Sequence, residues 1–291
     1  MNSRRIPESE FIINADGTVF HLHLLPHQLA EKIIMMGDPA RVDMVADFFD
    51  SVECDISSRE FHTITGTYKG KRITAMSHGI GGDNIDIVMS EIDALVNIDF
   101  ATRTEKKDKT SLTIVRIGTS GGLQPDIELG TNLISVRSIG FDGVLNFYAN
   151  RNQVCDIDFE EAFCKAVEWN SQHASPYIVN ADAELVKRLN QEDMQEGVTI
   201  SANGFYGPQG RYLRLPLADP ELNKKIQSFR YGEERITNYE MEGAALAGLA
   251  LLMGHKAATV CNIIAGRATH SANTNYKSGM PALIEKILDR I

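Results

Sequence analysis

Short runs of aliphatic and β-branched residues alternate along this chain with longer stretches in which apolar residues recur every three or four positions. The short runs have the length of buried strands, and the longer stretches have the spacing of amphipathic helices. Such alternation through a whole chain is typical of an α/β fold. Strands are predicted at residues 33–36, 60–68, 72–77, 114–117, 132–139, 198–203 and 257–264, and helices at residues 39–49, 85–96, 159–172, 242–253 and 281–291.

Some connections between these elements have clear local signals. Lys69-Gly70 joins the second and third strands as a hairpin, and Asp38 with Pro39 forms the N-cap and first turn of the first helix. Residues 101–110 are charged and lack apolar periodicity, so we expect a solvated loop there. The sequence contains no internal repeat, low-complexity segment or linker, so we expect one domain.

Composition limits the classes of partner. The chain has 291 residues, of which 43% are hydrophobic, which is enough for a sizeable core. Its net charge of -10 disfavours nucleic acid, and its apolar runs fall short of the roughly 18 residues of a transmembrane helix. The N-terminus is polar and lacks the apolar core of a signal peptide, and the four cysteines show no paired metal-ligand spacing. We expect a cytoplasmic protein with reduced thiols and without a nucleic-acid or membrane partner.

The segment Ile-Val-Arg-Ile-Gly-Thr-Ser-Gly-Gly at residues 114–122 places an arginine inside an apolar strand that ends in glycines. Burying an unpaired cation is costly, so Arg116 is predicted to face an anion at the carboxyl end of this strand. Glycine N–H groups and the hydroxyls of Thr119 and Ser120 suit a phosphate. The alternative is an internal ion pair between Arg116 and an Asp or Glu. The absence of a Lys after these glycines argues against a nucleotide-triphosphate P-loop.

Two further arginines, Arg41 and Arg59, and a second glycine-rich turn lie outside this strand. Gly-Asp-Pro-Ala-Arg at residues 37–41 places backbone N–H groups and Arg41 just after a strand, which again suits an anion. The alternative is an ordinary turn followed by a solvated helix residue. Arg59 carries no signal alone, because surface arginines are common. His-Gly-Ile-Gly-Gly at residues 78–82 leads from a strand into a helix.

Two carboxylates open the apolar helix that follows residue 242. In Asn-Tyr-Glu-Met-Glu-Gly-Ala-Ala, at residues 238–245, Glu240 and Glu242 flank Met241. A carboxylate can accept hydrogen bonds from two vicinal hydroxyls, and a thioether packs well on a sugar, so the segment suits a ribose. The alternative is that both carboxylates simply favour the positive end of the helix dipole.

The loop Gly-Phe-Tyr-Gly-Pro-Gln-Gly-Arg at residues 204–211 combines an aromatic face, an amide and a guanidinium. Phe205 could cover a planar base, while Gln209 and Arg211 could address the O4, N3 and O2 edge of uracil. The alternative is a solvated surface turn rich in glycine and proline.

These segments, taken in their order along the chain, resemble the nucleoside phosphorylase family. The resemblance is carried by residues 37–41, 58–61, 78–82, 116–122, 204–212, 238–244 and 262–267. It runs from about residue 20 to the C-terminus, which implies an N-terminal extension, residues 1–19, and a nucleoside phosphorylase domain, residues 20–291. The implied fold is a single-domain, three-layer α/β/α arrangement with a central mixed, partly barrel-like sheet. The Gln and Arg of the 204–212 loop favour uracil, because purine-specific relatives lack that pair. In several purine relatives an Asp follows the late strand, whereas residues 264–269 carry no carboxylate.

The resemblance implies a role for each candidate residue. The implied phosphate contacts are Gly37, Arg41, Arg116 and Thr119, with Arg59 reaching in from a neighbouring subunit. The implied ribose contacts are Glu240, Met241 and Glu242, with His21 approaching the 5′-hydroxyl from the neighbour. The implied base contacts are Phe205, Gln209, Arg211, Ile264 and Arg267. The expected catalytic residues are Arg116, Arg211, Gln209 and Glu242. Without the resemblance, a lone histidine among apolar residues such as His21 is more often structural.

The implied reaction is phosphorolysis of uridine, with deoxyuridine as a further candidate, to uracil and ribose 1-phosphate. Inorganic phosphate is the co-substrate, and no metal or organic cofactor is expected, although Glu60 resembles a residue that binds a monovalent cation in some relatives. Shared residues imply a homo-oligomer, for which a dimer is the minimum and a hexamer an alternative. Two other functions stay open: a purine nucleoside phosphorylase or nucleosidase, and a non-catalytic nucleoside-binding protein.

Overall fold

The computed structural model of the protein describes residues 4–291. Within this range the chain forms fourteen strands and seven α-helices. The strands are β1 (Lys32–Met36), β2 (Ser51–Ser58), β3 (Phe61–Tyr68), β4 (Lys71–Ser77), β5 (Ile98–Asp99), β6 (Thr104–Glu105), β7 (Thr113–Gly122), β8 (Asn132–Gly140), β9 (Tyr177–Asn180), β10 (Gln195–Ser201), β11 (Arg230–Tyr231), β12 (Glu234–Glu240), β13 (Lys256–Gly266) and β14 (Ser271–Ala272). The helices are α1 (Ala40–Ala46), α2 (Gly82–Asn97), α3 (Ile157–Ala166), α4 (Ala183–Leu189), α5 (Leu222–Ser228), α6 (Gly243–Met253) and α7 (Met280–Arg290).

A mixed sheet contains most of these strands, and part of it closes into a ring. The strand order is β11-β12-β10-β8-β13-β7-β1-β4-β3-β2. β12 also pairs with β7 in the antiparallel direction, with Asn238 opposite Gly122 and Tyr239 opposite Gly121. This second pairing joins β7, β13, β8, β10 and β12 into a closed circuit, while β1, β4, β3 and β2 extend from it as open sheet. The expected mixed, partly barrel-like sheet is confirmed.

Helices cover both faces of the sheet, because successive residues of a buried strand point to opposite sides. In β1, Ile33 packs with residues of α2 and α6, whereas Ile34 packs with residues of α1, α4 and α7. Helices α3 and α5 enclose a third cluster around Phe163. Helix α6 is buried over most of its length, which explains its almost wholly apolar sequence. The α/β class predicted from the hydrophobic pattern is confirmed.

Several elements lack the apolar pattern that sequence reasoning requires. Strand β2 is half polar because it lies at the edge of the sheet, and its burial alternates between exposed and intermediate positions. Strand β12 was not predicted because its polar residues Thr237, Asn238 and Glu240 interrupt the apolar pattern. In the structure these residues are buried and hydrogen-bonded. Helices α4 and α5 have seven residues each, which is too short for a clear helical period.

Some predicted boundaries are wrong. The first helix ends at Ala46 rather than residue 49. Its N-cap is Pro39 rather than the predicted Asp38. The Asp38 carboxylate still accepts a hydrogen bond from the N–H of Ala40, at 3.0 Å. The third helix ends at Ala166 rather than residue 172, so the segment that follows it is a loop.

The prediction of a solvated loop at residues 101–110 is wrong in part. Strand β6 lies within this range and pairs with β5, and the side chain of Arg103, in the turn that connects the two strands, is buried. Arg103 donates from Nε to the carbonyl of Ile6, at 3.1 Å, and from Nη2 to the carbonyl of Phe11. The Phe11 ring also packs edge-on against Phe100, with ring centroids 5.2 Å apart. This charged segment therefore holds the N-terminal segment against the end of α2.

Candidate active site

A cavity of about 640 Å³ opens where β1, β4, β7 and β13 end, beside the start of α6 and the loop after β10. This volume is typical of small-molecule sites. Its lining brings together residues from distant parts of the sequence. The predicted residues among them are Gly37, Arg41, Glu60, Arg116, Thr119, Phe205, Gln209, Arg211, Glu240, Met241, Glu242 and Ile264.

Arg116 projects from β7 and is only 4% exposed. Its Nη1 lies 2.9 Å from Glu240 Oε2, and its Nη2 donates to Glu242 Oε2. Its Nε donates to His78 Nε2, at 3.2 Å. The internal ion pair that stood as the alternative for this arginine is therefore present, with two carboxylates instead of one. These partners offset the cost of burying the guanidinium.

Arg41, in the first turn of α1, is the less satisfied of the two buried arginines at the cavity. It is 8% exposed, and its Nε and Nη1 atoms have no hydrogen-bond partner in the described part of the chain. Burial, followed by the charge of Arg116, lowers the pKa of Arg41 below its usual range. A buried cation with unpaired donors beside a cavity favours an incoming anion.

Glu240 acts on the N-terminus of α6. Its carboxylate accepts hydrogen bonds from the N–H of Glu242, at 2.9 Å, and from that of Gly243, at 2.9 and 3.0 Å. The Ser201 hydroxyl also donates to it. The helix-dipole alternative thus describes Glu240 well, although the same carboxylate also pairs with Arg116.

Glu242 faces the cavity from the N-cap position of α6 and is 5% exposed. Its Oε1 accepts from the N–H of Gly81, at 2.8 Å, and its Oε2 accepts from Arg116. Burial raises the pKa of Glu242, while the charge of Arg116 opposes that shift. Because each carboxylate oxygen has two acceptor sites, both oxygens can take a further donor from the cavity.

The loop after β10 holds its polar side chains in one cluster. The Arg211 guanidinium lies over the Phe205 ring, with Cζ 3.7 Å from the centroid, and it donates to the side-chain oxygen of Gln209. Arg267 donates to the main-chain carbonyl of Gln209, at 2.9 Å. Burial, followed by the charge of Arg267, lowers the pKa of Arg211 to about 10, which leaves it charged at neutral pH. Gln209 is 3% exposed, whereas Phe205 is 50% exposed, so the alternative of a solvated surface turn is wrong for Gln209 but describes much of the loop.

Three predicted residues lie outside the cavity lining. His21 pairs with Glu91, with Nδ1 2.6 Å from Oε1. Arg59 lies near the ring of Phe20, with Cζ 5.8 Å from the centroid. Arg267 contacts the loop after β10 through the main-chain carbonyl of Gln209. Arg59 and His21 are linked through Phe20, whose ring contacts both, and both lie outside the cavity lining, although Glu60, next to Arg59, lines the cavity.

Sequence reasoning did not assign several residues that support the site. His78 belongs to a glycine-rich motif that was visible, but no role followed from it. Ser201 and Asn223 had no sequence signal, although Ser201 contacts Glu240 and Asn223 Nδ2 donates to the carbonyl of Gln209, at 3.0 Å. Such residues act through others, and only the fold brings them together.

The comparisons with known proteins cover nearly the whole chain. Residues 31–285 match the model of the phosphorylase superfamily. The chain belongs to the phosphorylase superfamily.

Similar members include enzymes named for different bases. The chain is 29% identical over 261 residues to a uridine phosphorylase of Thermococcus kodakarensis, which covers 88% of this chain and 80% of that one. It is also 29% identical over 275 residues to a DeoD-type purine nucleoside phosphorylase of Colwellia psychrerythraea, covering 92% and 98%. A solved Trypanosoma brucei nucleoside phosphorylase, described as showing uridine phosphorylase activity, superposes with a TM-score of 0.84 at 26% identity, over 96% and 98% of the two chains.

Over residues 4–291, no group of three or more His, Cys, Asp or Glu side chains is arranged to hold a metal ion. In the same range, no helix is long and apolar enough to cross a bilayer.

The environment of His78 predicts how the stability of this superfamily member depends on pH. Burial, followed by the charges of Arg116 and Arg41, lowers the pKa of His78 well below its ordinary value of 6.5. The unfolded chain therefore binds one proton more than the folded chain below that pH, and stability falls as the pH falls. Between about pH 7.5 and about pH 5.5, the wild type should lose about 1.4 kcal/mol more than His78→Gln. Urea unfolding at one protein concentration measures both losses, and equal losses would contradict the prediction.

Proposed function

We propose that this chain is a uridine phosphorylase, which catalyses the reversible phosphorolysis of uridine to uracil and ribose 1-phosphate. One observation carries the proposal: a single cavity holds an arginine with unpaired donors, a pair of carboxylates and the Phe205, Gln209 and Arg211 cluster. Each group suits one part of the two substrates. Deoxyuridine shares the base and is a further substrate of the proposed enzyme.

Phosphate occupies the corner of the cavity formed by Gly37, Arg41, Arg116 and Thr119. The unpaired Nε and Nη1 of Arg41 support this assignment, since a phosphate oxygen is a strong acceptor for such donors. Arg116 has two of its N–H donors on carboxylates and a third on His78, so Arg41 offers the larger number of free donors.

The ribose lies between phosphate and base, against the start of α6. Glu242 accepts hydrogen bonds from the ribose hydroxyls, and Met241 packs on the sugar. Glu240 supports the segment through its contacts with the N–H groups of Glu242 and Gly243. The remaining acceptor sites of the Glu242 carboxylate, which lines the cavity, support this placement of the ribose.

The base lies on Phe205, with Ile264 lining the pocket, and Gln209 and Arg211 read the edge of uracil. Arg267 orders this loop through the carbonyl of Gln209. Sequence identity does not distinguish uracil from a purine as the base of the substrate, because the uridine phosphorylase and the purine nucleoside phosphorylase named above are each 29% identical to this chain. The paired amide and guanidinium favour uracil, whose O4, N3 and O2 present both acceptors and a donor.

In the proposed reaction a phosphate oxygen forms a bond to C1′ while the bond from C1′ to N1 of uracil breaks. The ribose gains positive character, as in other glycosyl transfers, and the electron pair of the broken bond leaves with uracil. Arg41 and Arg116 position the nucleophile, which supplies proximity and charge pairing. Arg211 and Gln209 stabilise the uracil anion until it takes up a proton.

We infer that two subunits share each site. His21 and Arg59 lie outside the lining of their own cavity and are linked through Phe20, which supports a role in a neighbouring copy. A homodimer is the smallest assembly that permits this exchange, and a hexamer would permit it too. In the proposed reaction, inorganic phosphate is the co-substrate. We also propose that a monovalent cation binds near Glu60. The proposed location of the enzyme is the cytoplasm.

The activity itself is tested by measuring uracil release from uridine with and without inorganic phosphate, with inosine assayed in parallel. The proposal predicts phosphate-dependent uracil release and little hypoxanthine from inosine. Release without phosphate would indicate a nucleosidase, hypoxanthine as the main product would indicate a purine phosphorylase, and binding without any product would indicate a non-catalytic protein.

A substitution tests the role of Arg211 directly. Losing one preorganised donor to the leaving group commonly costs about 3 kcal/mol in the transition state, so Arg211→Ala should lower kcat/KM for uridine by about two orders of magnitude or more. The matched control is Arg214→Ala, which removes an exposed arginine from the same loop and should leave the rate nearly unchanged. An Arg211→Ala enzyme with wild-type turnover would refute the assignment.

A further inference from the structure

His78 has no part in the roles proposed above, yet it touches the buried arginine at the centre of the site. It follows β4, is fully buried, and its Nε2 lies 3.2 Å from Arg116 Nε. A guanidinium can only donate, so Nε2 accepts, and the neutral ring must carry its proton on Nδ1.

The turn that begins with His78 also holds the partner of Arg116. Three residues later, the N–H of Gly81 donates to Glu242 Oε1, at 2.8 Å. Gly81 has a φ of +98°, a value that L side chains rarely adopt, so the turn depends on glycine there. The His-Gly-Ile-Gly-Gly motif therefore contacts both members of the Arg116 and Glu242 ion pair.

The imidazole also lies beside the corner assigned to phosphate. A Cβ built on Gly37 would lie 3.7 Å from His78 Cε1 and 3.7 Å from Arg41 Nη2, so the two side chains flank the same glycine. His78 Nδ1, like Arg41 Nε and Nη1, has no hydrogen-bond partner among residues 4–291. A neutral ring at this place supplies an acceptor for Arg116 without adding a third positive charge.

We propose that His78 is a positioning residue for phosphate binding, because its Nε2 holds the guanidinium of Arg116 in one orientation. Nε is held by His78, Nη1 by Glu240 and Nη2 by Glu242, so the plane of the guanidinium is determined from three sides. Partners that orient a binding group in this way commonly matter nearly as much as the group itself. The inference rests on the proposed function, since it concerns the phosphate corner of the same cavity.

Two amide variants separate the positioning role from simple packing. His78→Gln can place Oε1 near the former Nε2 and accept from Arg116, whereas His78→Asn is one methylene shorter and cannot reach it. We expect His78→Asn to weaken phosphate binding about tenfold or more, and His78→Gln to stay within about threefold of the wild type. Calorimetric titration of inorganic phosphate into the full chain measures both affinities. In steady-state assays, the KM for phosphate should rise more than the KM for uridine.

Equal phosphate affinities for the two folded variants would overturn the proposal, as would a loss of thermal stability without any change in phosphate binding. The titration needs no turnover, and uridine assays on the same preparations report the proposed function separately. A failure of the activity and a failure of the positioning role are therefore distinguishable.

A measurement on the wild type avoids substituting a buried residue. Nitrogen-15 NMR of the histidine rings should show His78 with its proton on Nδ1, and added phosphate should shift its Nε2 resonance. His173, which is exposed, is the internal control and should respond little. A His78 ring protonated on Nε2 would contradict the hydrogen bond on which the proposal depends.

Discussion

The guanidinium of Arg116 is buried at the cavity wall, with Glu240 and Glu242 on two of its sides. A charge at this depth is stable only with well-placed partners, and removing one of them would leave the others uncompensated. The two carboxylates come from the junction of β12 and α6, more than a hundred residues along the chain, and the antiparallel pairing of β12 with β7 brings that junction to the end of β7. The strand pairing that closes the barrel thus also places the carboxylates beside the arginine. It explains why Glu240 is buried, whereas the buried Thr237 and Asn238 of β12 hydrogen-bond with neighbouring strands instead.

The polar groups of the site largely satisfy one another. Arg116 pairs with Glu242, Arg211 pairs with Gln209 and stacks on Phe205, and Glu240 caps α6. Arg41 differs, because two of its buried nitrogens have no partner among the described residues. We propose that phosphate binds these donors of Arg41 beside a cluster whose geometry already exists. Such preorganisation limits the reorganisation that binding requires and is a general source of catalytic advantage.

The sequence predicted seven of the fourteen strands, most of them long and buried, together with the longer helices, because alternation and helical spacing of apolar residues reflect burial directly. It also named just over half of the residues that line the cavity, since glycines next to arginines and paired carboxylates in apolar surroundings are unusual, but it assigned no role to Ile80, Asn84 or Tyr239. The pairing of Arg116 with two glutamates could not be chosen over an external anion, because that choice depends on the contact between β12 and β7. His78, Ser201 and Asn223 act through neighbours, so their roles appear only in three dimensions. The burial of Arg103 was missed for the same reason, as its partners are main-chain carbonyls near the N-terminus.

The most direct test of this account is a crystal structure of the protein with inorganic phosphate. We predict a phosphate at the Gly37 corner of the cavity, with oxygens within about 3 Å of Arg41 nitrogens and of Arg116, while Arg116 keeps its contacts with Glu242 and His78. A phosphate bound elsewhere in the cavity, or one at this corner that leaves Arg116 untouched, would contradict the proposal that Arg41 and Arg116 together bind phosphate.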